Sequence, residues 1–285
     1  AELLLDPLPQ HNPAYLFNET FLEMRKGFVF ERMEDDRASR GAGESEDAAA
    51  ARAVAHRVLR LLRKNFVRRG AVGPAGETHE WAGRRLSAAL VLQLIAALEA
   101  VVESEPTLVP LHPPVCVLGD LSGSYLDAVS VFEGLQMVPN AAFTPDTFLM
   151  LGRVVAGGPH PLEVFCLTAA LKVLCPKNVF TLNPQHRWGG LERTGFAALA
   201  ATREAVAADI GDRRVFPAMM RVVSKYPQAA LIDNAILCVS EGIPRRLVGE
   251  RRLLDALATF PRKTYDEVAP IDDDPGRGGA VRDTD

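Results

Sequence analysis

Residues 113–135 read PPVCVLGDLSGSYLDAVSVFEGL. The run VCVL is short, apolar and partly β-branched, which predicts a strand over 115–118. GDLSG (119–123) is polar and glycine-bearing and predicts a sharp turn. SYLDAVSVFEGL (124–135) predicts a helix opened by a Ser124–Asp127 capping box. The same alternation then repeats. TFLML (147–151) predicts a strand, PLEVFCLTAALKVL (161–174) a helix with Pro161 in its first turn, and NVFTL (178–182) a further strand. RRVFPAMMRVVSKY (213–226) predicts a helix in spite of Pro217, and AALI with AILCV (229–239) a hairpin turning at Asp233-Asn234. This order implies an α/β fold.

Two helices are expected upstream. In the first, from about Ala48 to Phe66, Val54, Val58, Leu61, Leu62 and Phe66 share one face. Arg57, Arg60, Arg63, Lys64, Arg68 and Arg69 make the rest basic, which suits either a solvated face or a contact with RNA or an acidic partner. The second, from about Gly83 to Glu103, is apolar nearly all round and therefore buried; Pro106, Pro110, Pro113 and Pro114 end it. Residues 1–50 read as an N-terminal arm followed by an acidic linker, 51–263 as one domain, and 264–285 as an acidic, flexible tail.

The totals narrow the classes. A formal charge of -4 argues against a chain dominated by nucleic-acid contacts, and 48% hydrophobic residues suit a globular domain. Cys116, Cys166, Cys175 and Cys238 form no CxxC pair and no zinc-like spacing, so they read as buried free thiols in a reducing, intracellular compartment. The longest apolar run, Leu90 to Val102, carries Gln93 and Glu99 and is too short to span a bilayer. No signal peptide is recognisable; because the sequence begins with Ala1, an organelle matrix stays open beside cytoplasm, cytoskeleton and flagellum.

The strand-end loops carry a resemblance. GDLSG (119–123), GRVVAGG (152–158) and NPQHRW (183–188) stand where protein serine/threonine phosphatases of the metallophosphoesterase (PPP) type carry GDxHG, GDxVDRG and GNHE. LEVFCLTAALKVLCPKNVFTLNPQHRW (162–188) resembles that family's helix, turn, strand and third loop almost position by position. PQAALIDNAILCVSEGIP (227–244) resembles its hairpin, and LSAALVLQLIAALEAVVESEPTLVPL (86–111) its pre-domain helix and connection. The resemblance runs from about Arg57 to about Pro261. It implies a metallophosphoesterase-like β-sandwich flanked by helices; the family's C-terminal part has no counterpart in these residues, because the chain is shorter there or because that part lies beyond them.

The family hydrolyses phosphate monoesters with two cations, a bridging carboxylate and a general acid. The resemblance places Asp120 at one metal ligand and His186 at the general acid. It places Ser122 at a histidine ligand, Arg153 at the metal-bridging aspartate, Gln185 at an asparagine ligand and Ser240 at a histidine ligand. Ala156 replaces the aspartate that orients the catalytic histidine, Gly157 and Asn183 replace phosphate-binding arginines, and Pro184 replaces a glycine. Arg153 cannot lose its proton, so it brings a fixed positive charge where two dications would sit. The expectation is therefore a pseudophosphatase: no catalysis, no metal, no cofactor, and a role as scaffold or interaction subunit in a larger assembly such as a cytoskeletal or flagellar structure or an organellar ribosome. An ion pair between Arg153 and a poorly accessible Asp120 is expected to replace the metals. The alternatives are a metal-free phosphopeptide or nucleotide sensor built from Arg153, Arg187 and His186, and an active phosphoesterase with a rebuilt site.

Overall fold

The structure, a computed structural model, describes residues 45–69, 78–81, 86–135, 147–155, 157–184, 193–240, 242–243, 247 and 252–262. The expected N-terminal arm, most of the acidic linker and the acidic tail lie outside these residues. The elements run α1 (Glu46–Asn65), β1 (Phe66–Arg69), β2 (Thr78–Trp81), α2 (Ala88–Glu103), β3 (Leu108–Leu111), β4 (Val115–Leu118), α3 (Tyr125–Leu135), β5 (Thr147–Met150), α4 (Pro161–Leu174), β6 (Val179–Thr181), α5 (Arg193–Ile210), α6 (Val215–Ser224), β7 (Ala229–Ile232), β8 (Ile236–Val239) and α7 (Leu253–Ala258).

Two three-stranded sheets form the centre. In one, β4, β5 and β6 run parallel in that order; in the other, β3 is parallel to β7 and β7 is antiparallel to β8. Successive side chains on a strand point to opposite faces. On β5, Phe148 and Met150 therefore join the helices, while Leu149 between them joins a second core with Leu182, Val109, Leu111, Ala230, Ile232 and Cys238. That second core holds the two sheets together. The result is a mixed α/β sandwich flanked by helices, as the resemblance implies.

The strand–turn–helix expectations fall within two residues of the observed elements from β4 to β8. Ser124 Oγ donates to Asp127 Oδ2 at 2.6 Å at the start of α3. Asp233 and Asn234 take φ of 50° and 54° in the β7–β8 turn, a left-handed conformation that their short polar side chains tolerate.

Other expectations need correction. α1 starts at Glu46, where the Ser45 hydroxyl accepts from the Ala48 amide at 3.2 Å, and α2 starts at Ala88, where Ser87 accepts from Leu90 at 3.3 Å. α1 stops at Asn65, so Phe66 is not on its apolar face and Arg68 and Arg69 lie on β1. The basic stretch is thus part helix and part hairpin. LVPL (108–111) is a strand and not a connection: among the described residues β3 pairs only with β7, and an edge strand tolerates the missing N–H of Pro110. α5 and α7 had no sequence expectation. Of the four cysteines, Cys166 and Cys238 are buried and Cys116 and Cys175 only half-buried; all four are free thiols. Among the described residues, no helix is long and apolar enough to cross a membrane.

α4 is buried along its whole length, from Pro161 to Leu174, against α1, α2, α3, α5 and β6. Its polar residues must therefore find partners inside. Thr168 donates to the carbonyls of Val164 and Phe165, each at 3.0 Å. Lys172 Nζ pairs with Glu105 Oε1, donates to the Pro176 carbonyl at 2.8 Å and lies 4.1 Å from the centre of the Phe180 ring. Burial pushes the Lys172 ammonium down and the Glu105 carboxyl up, and each partner opposes the shift of the other. Arg262 completes the cluster. Its guanidinium donates to the carbonyls of Lys225 at 2.7 Å and Val102 at 3.3 Å, and to that of Glu105, binding the ends of α2 and α6 together.

The Glu105–Lys172 pair makes a direct prediction. Lys172→Ala should lower the unfolding free energy by about 3–5 kcal/mol, because it strands a buried carboxylate. Lys172→Met combined with Glu105→Leu should recover much of that loss in urea unfolding. A double variant no more stable than Lys172→Ala would show that the stranded charge is not the cause.

Candidate functional site

The parallel register of β4, β5 and β6 places three strand ends side by side. Ladder hydrogen bonds continue just past them, from Leu151 N–H to Leu118 and from Leu182 N–H to Met150, both at 2.9 Å. The loops after these strands therefore leave from one edge of the sheet, where ligands of open α/β sheets bind. The first loop carries Asp120 and Ser122, and the second carries Arg153.

The two loops are tied backbone to backbone. The Ser122 amide donates to the Arg153 carbonyl at 3.2 Å, and the His160 amide to the Gly123 carbonyl at 3.0 Å. A Cβ on Gly123, whose φ is 65°, would stand 2.0 Å from the Gly157 carbonyl oxygen, so only glycine fits there. Ser122 and Arg153 take φ of 42° and 47° at this crossing, a conformation unfavourable for side chains of their kind. Gly152 fixes the other side. A Cβ there would lie 2.6 Å from Ser240 Oγ and 3.2 Å from Pro184 Cα, which brings the hairpin end and the third loop against the second.

Asp120 and Arg153 meet: Arg153 Nε lies 3.5 Å from Asp120 Oδ2, with the side chains 50% and 45% exposed for arginine and aspartate respectively. The expectation that Asp120 would be poorly accessible is therefore wrong. Its carboxylate stands beyond the strand end, in a loop that turns at Ser122, and water reaches it. The contact is one-pronged and long, not the two-pronged fork that holds an arginine tightly.

Asn183, which the resemblance sets in place of a phosphate-binding arginine, is buried. Its side-chain amide donates to the Ser224 carbonyl at 3.0 Å and its backbone amide to the Pro227 carbonyl at 2.7 Å, so it anchors the third loop to the end of α6. Ser240 lies at the cluster's edge beside Gly152. Ala156, Gln185, His186 and Arg187 lie outside the described residues. Among the described residues, no three His, Cys, Asp or Glu side chains come together. One participant had no sequence expectation: Thr202 of α5, whose hydroxyl accepts from the Gly157 amide at 3.5 Å. The Gly157-Gly158 pair signalled a close backbone approach but not its partner.

No family model matches the chain. Over 169 residues it is 29% identical to the serine/threonine-protein phosphatase PP1-delta of Caenorhabditis elegans, covering 59% of this chain and 50% of the relative. The chain thus spans about half the length of that curated relative. Its fold is similar to that of a protein serine/threonine phosphatase from Saccharomyces cerevisiae with similarity to human phosphatase PP5, at a TM-score of 0.52 and 21% identity over 64% of this chain and 58% of the other. The sequence similarity supports kinship with the serine/threonine phosphatases, and the structural similarity shows the fold.

The geometry predicts an uneven mutational response. Exposed ion pairs contribute about 0–1 kcal/mol. A double-mutant cycle with Asp120→Ala and Arg153→Ala should return a coupling below about 1 kcal/mol that shrinks further at high salt. Gly123→Ala should cost more than about 2 kcal/mol, since a left-handed conformation of about 1–2 kcal/mol is added to a backbone clash. A cycle coupling of several kcal/mol would place the ion pair in a far drier site than its exposure indicates.

Proposed function

We propose that this chain is a phosphatase-like protein without catalytic activity, acting as a scaffold or interaction subunit of a larger assembly. The observation that carries this reading is the Arg153 guanidinium beside Asp120, at the position where the resemblance places the metal-bridging carboxylate. A guanidinium has no lone pair to offer a cation. At about 4 Å it repels a unit positive charge by roughly 1 kcal/mol in water and roughly 4 kcal/mol near a protein surface, and a dication doubles either figure. On this reading Asp120 is left as a single carboxylate, and the hydroxyls of Ser122 and Ser240 are weak neutral ligands, so the donor set does not fit a two-cation centre. Gln185 retains one amide oxygen, and His186 at the general-acid position has Ala156 where its orienting carboxylate would be.

Protein partners in a cytoplasmic, cytoskeletal, flagellar or organellar assembly fit this reading, with the basic residues from Arg57 to Arg69 available to RNA or an acidic partner. In the described part of that stretch, Arg57 and Arg60 are exposed on α1. A second reading has one observation in its favour. Arg153 keeps half of its side chain in solvent, which leaves its charge within reach of a phosphate. On that reading the chain is a phosphopeptide or nucleotide sensor that uses Arg153 and Arg187.

Three measurements separate these readings from an enzyme with a rebuilt site. Elemental analysis of purified protein should find no stoichiometric manganese, iron or zinc. Phosphoserine peptides and aryl phosphates, with manganese supplied, should be hydrolysed no faster than by a His186→Ala control. Turnover lost in that control would establish an enzyme. Calorimetric titration with a phosphopeptide or nucleotide should give no saturable heat; saturable binding abolished by Arg153→Ala would favour the sensor.

A further inference from the structure

Glu163 stands in the first turn of α4, just after the loop that carries Arg153, and is only 8% exposed. Its Oε2 is buried without a hydrogen-bond partner. The groups that face the carboxyl are the Asp209 carboxylate from α5 and the Cys166 thiol one turn further along α4. Among the described residues its own backbone amide is the group that favours the charged form, and no cation offsets it. Burial first, then repulsion from Asp209, pushes the carboxyl up from 4.5 to about 7, while its own amide pulls the other way.

α5 also touches the site. Thr202, two turns before Asp209 on the same helix, accepts from the Gly157 amide at 3.5 Å. Gly157 in turn lies against Gly123 of the first loop. One helix therefore meets a buried, uncompensated carboxyl near its C-terminal end and braces a strand-end loop in its middle.

We propose that Glu163 is a proton-controlled latch for α5. When neutral, it lets α5 seat against α4 and brace the Gly157 loop. When ionised, it is repelled by Asp209 and draws in water, which lifts the end of α5 and frees that loop. The latch does not depend on whether the chain catalyses, so it stands apart from the proposed function.

The direction follows from linkage. The folded chain holds this proton more tightly than an unfolded one, so the closed state is fully favoured below pH 4.5. It loses ground as pH rises towards about 7 and is level above that. Hydrogen–deuterium exchange of the whole chain between pH 5 and 8.5, corrected for the intrinsic rate, tests it. Protection of α5 and residues 152–158 should fall by up to about tenfold per pH unit and then flatten, while that of α2 stays constant. Glu163→Gln, which cannot ionise, should hold high protection at every pH. Asp209→Asn should move the transition to lower pH. An α5 protection that does not change with pH, or a Glu163→Gln profile that matches wild type, overturns the proposal. If Glu163→Gln does not fold, an unmoved midpoint in Asp209→Asn overturns it equally.

Discussion

The complete burial of α4 constrains everything packed around it. A helix with no solvated face must be covered on all sides, and α1, α2, α3, α5 and β6 supply the cover. Its apolar residues need no more than that. Its three polar ones each demand something specific. Thr168 answers within the helix, by bonding back to the preceding turn. Lys172 draws in Glu105 from the α2–β3 connection and the Phe180 ring from β6, and through Glu105 it meets the C-terminal segment at Arg262. Glu163 Oε2 finds no hydrogen-bond partner among the described residues, and holding a proton reduces the cost of its burial.

The loops at the sheet edge are held in two ways. Leu121 of the first and Val154 and Val155 of the second are buried in the helical core, while the Asp120–Arg153 ion pair is exposed. Backbone fit adds to this: the first and second loops cross so closely that Gly123 has no room for a Cβ, and Gly152 has none beside Ser240 and Pro184. Such a crossing is stiff whatever the side chains do. It lets Arg153 occupy its place while contributing little to stability. The exposed side chains at the strand ends are thus free to vary in chemistry without unmaking the fold.

Much of this was legible in the sequence because it depends on neighbours along the chain. The apolar run of β5, the Ser124–Asp127 start of α3, Pro161 at the head of α4 and the Asp233-Asn234 turn are all local chemistry, and each stands where the residues place it. The meeting of Asp120 and Arg153 was also readable, since adjacent parallel strands must bring their ends together. The failures involve partners distant in sequence. LVPL became β3 because β7 is available beside it, and nothing near Pro110 announces that. Phe66 left its helix for the β1–β2 pairing. The anchoring role of Asn183 had no sequence expectation, because Ser224 and Pro227 arrive from more than forty residues away.

The amino-acid sequence alone therefore determined the α/β order, the identity of the strand-end loops and the side chains those loops carry, because period, turn chemistry and residue type are properties of short segments. Solvent access was decided only by tertiary structure. Asp120 and Glu163 are both carboxylates beside strand-end loops. The fold leaves the first in water at 45% exposure and buries the second until 8% remains. Dielectric surroundings and the sign of nearby charge come from chains of contacts across the whole domain, and no segment contains them.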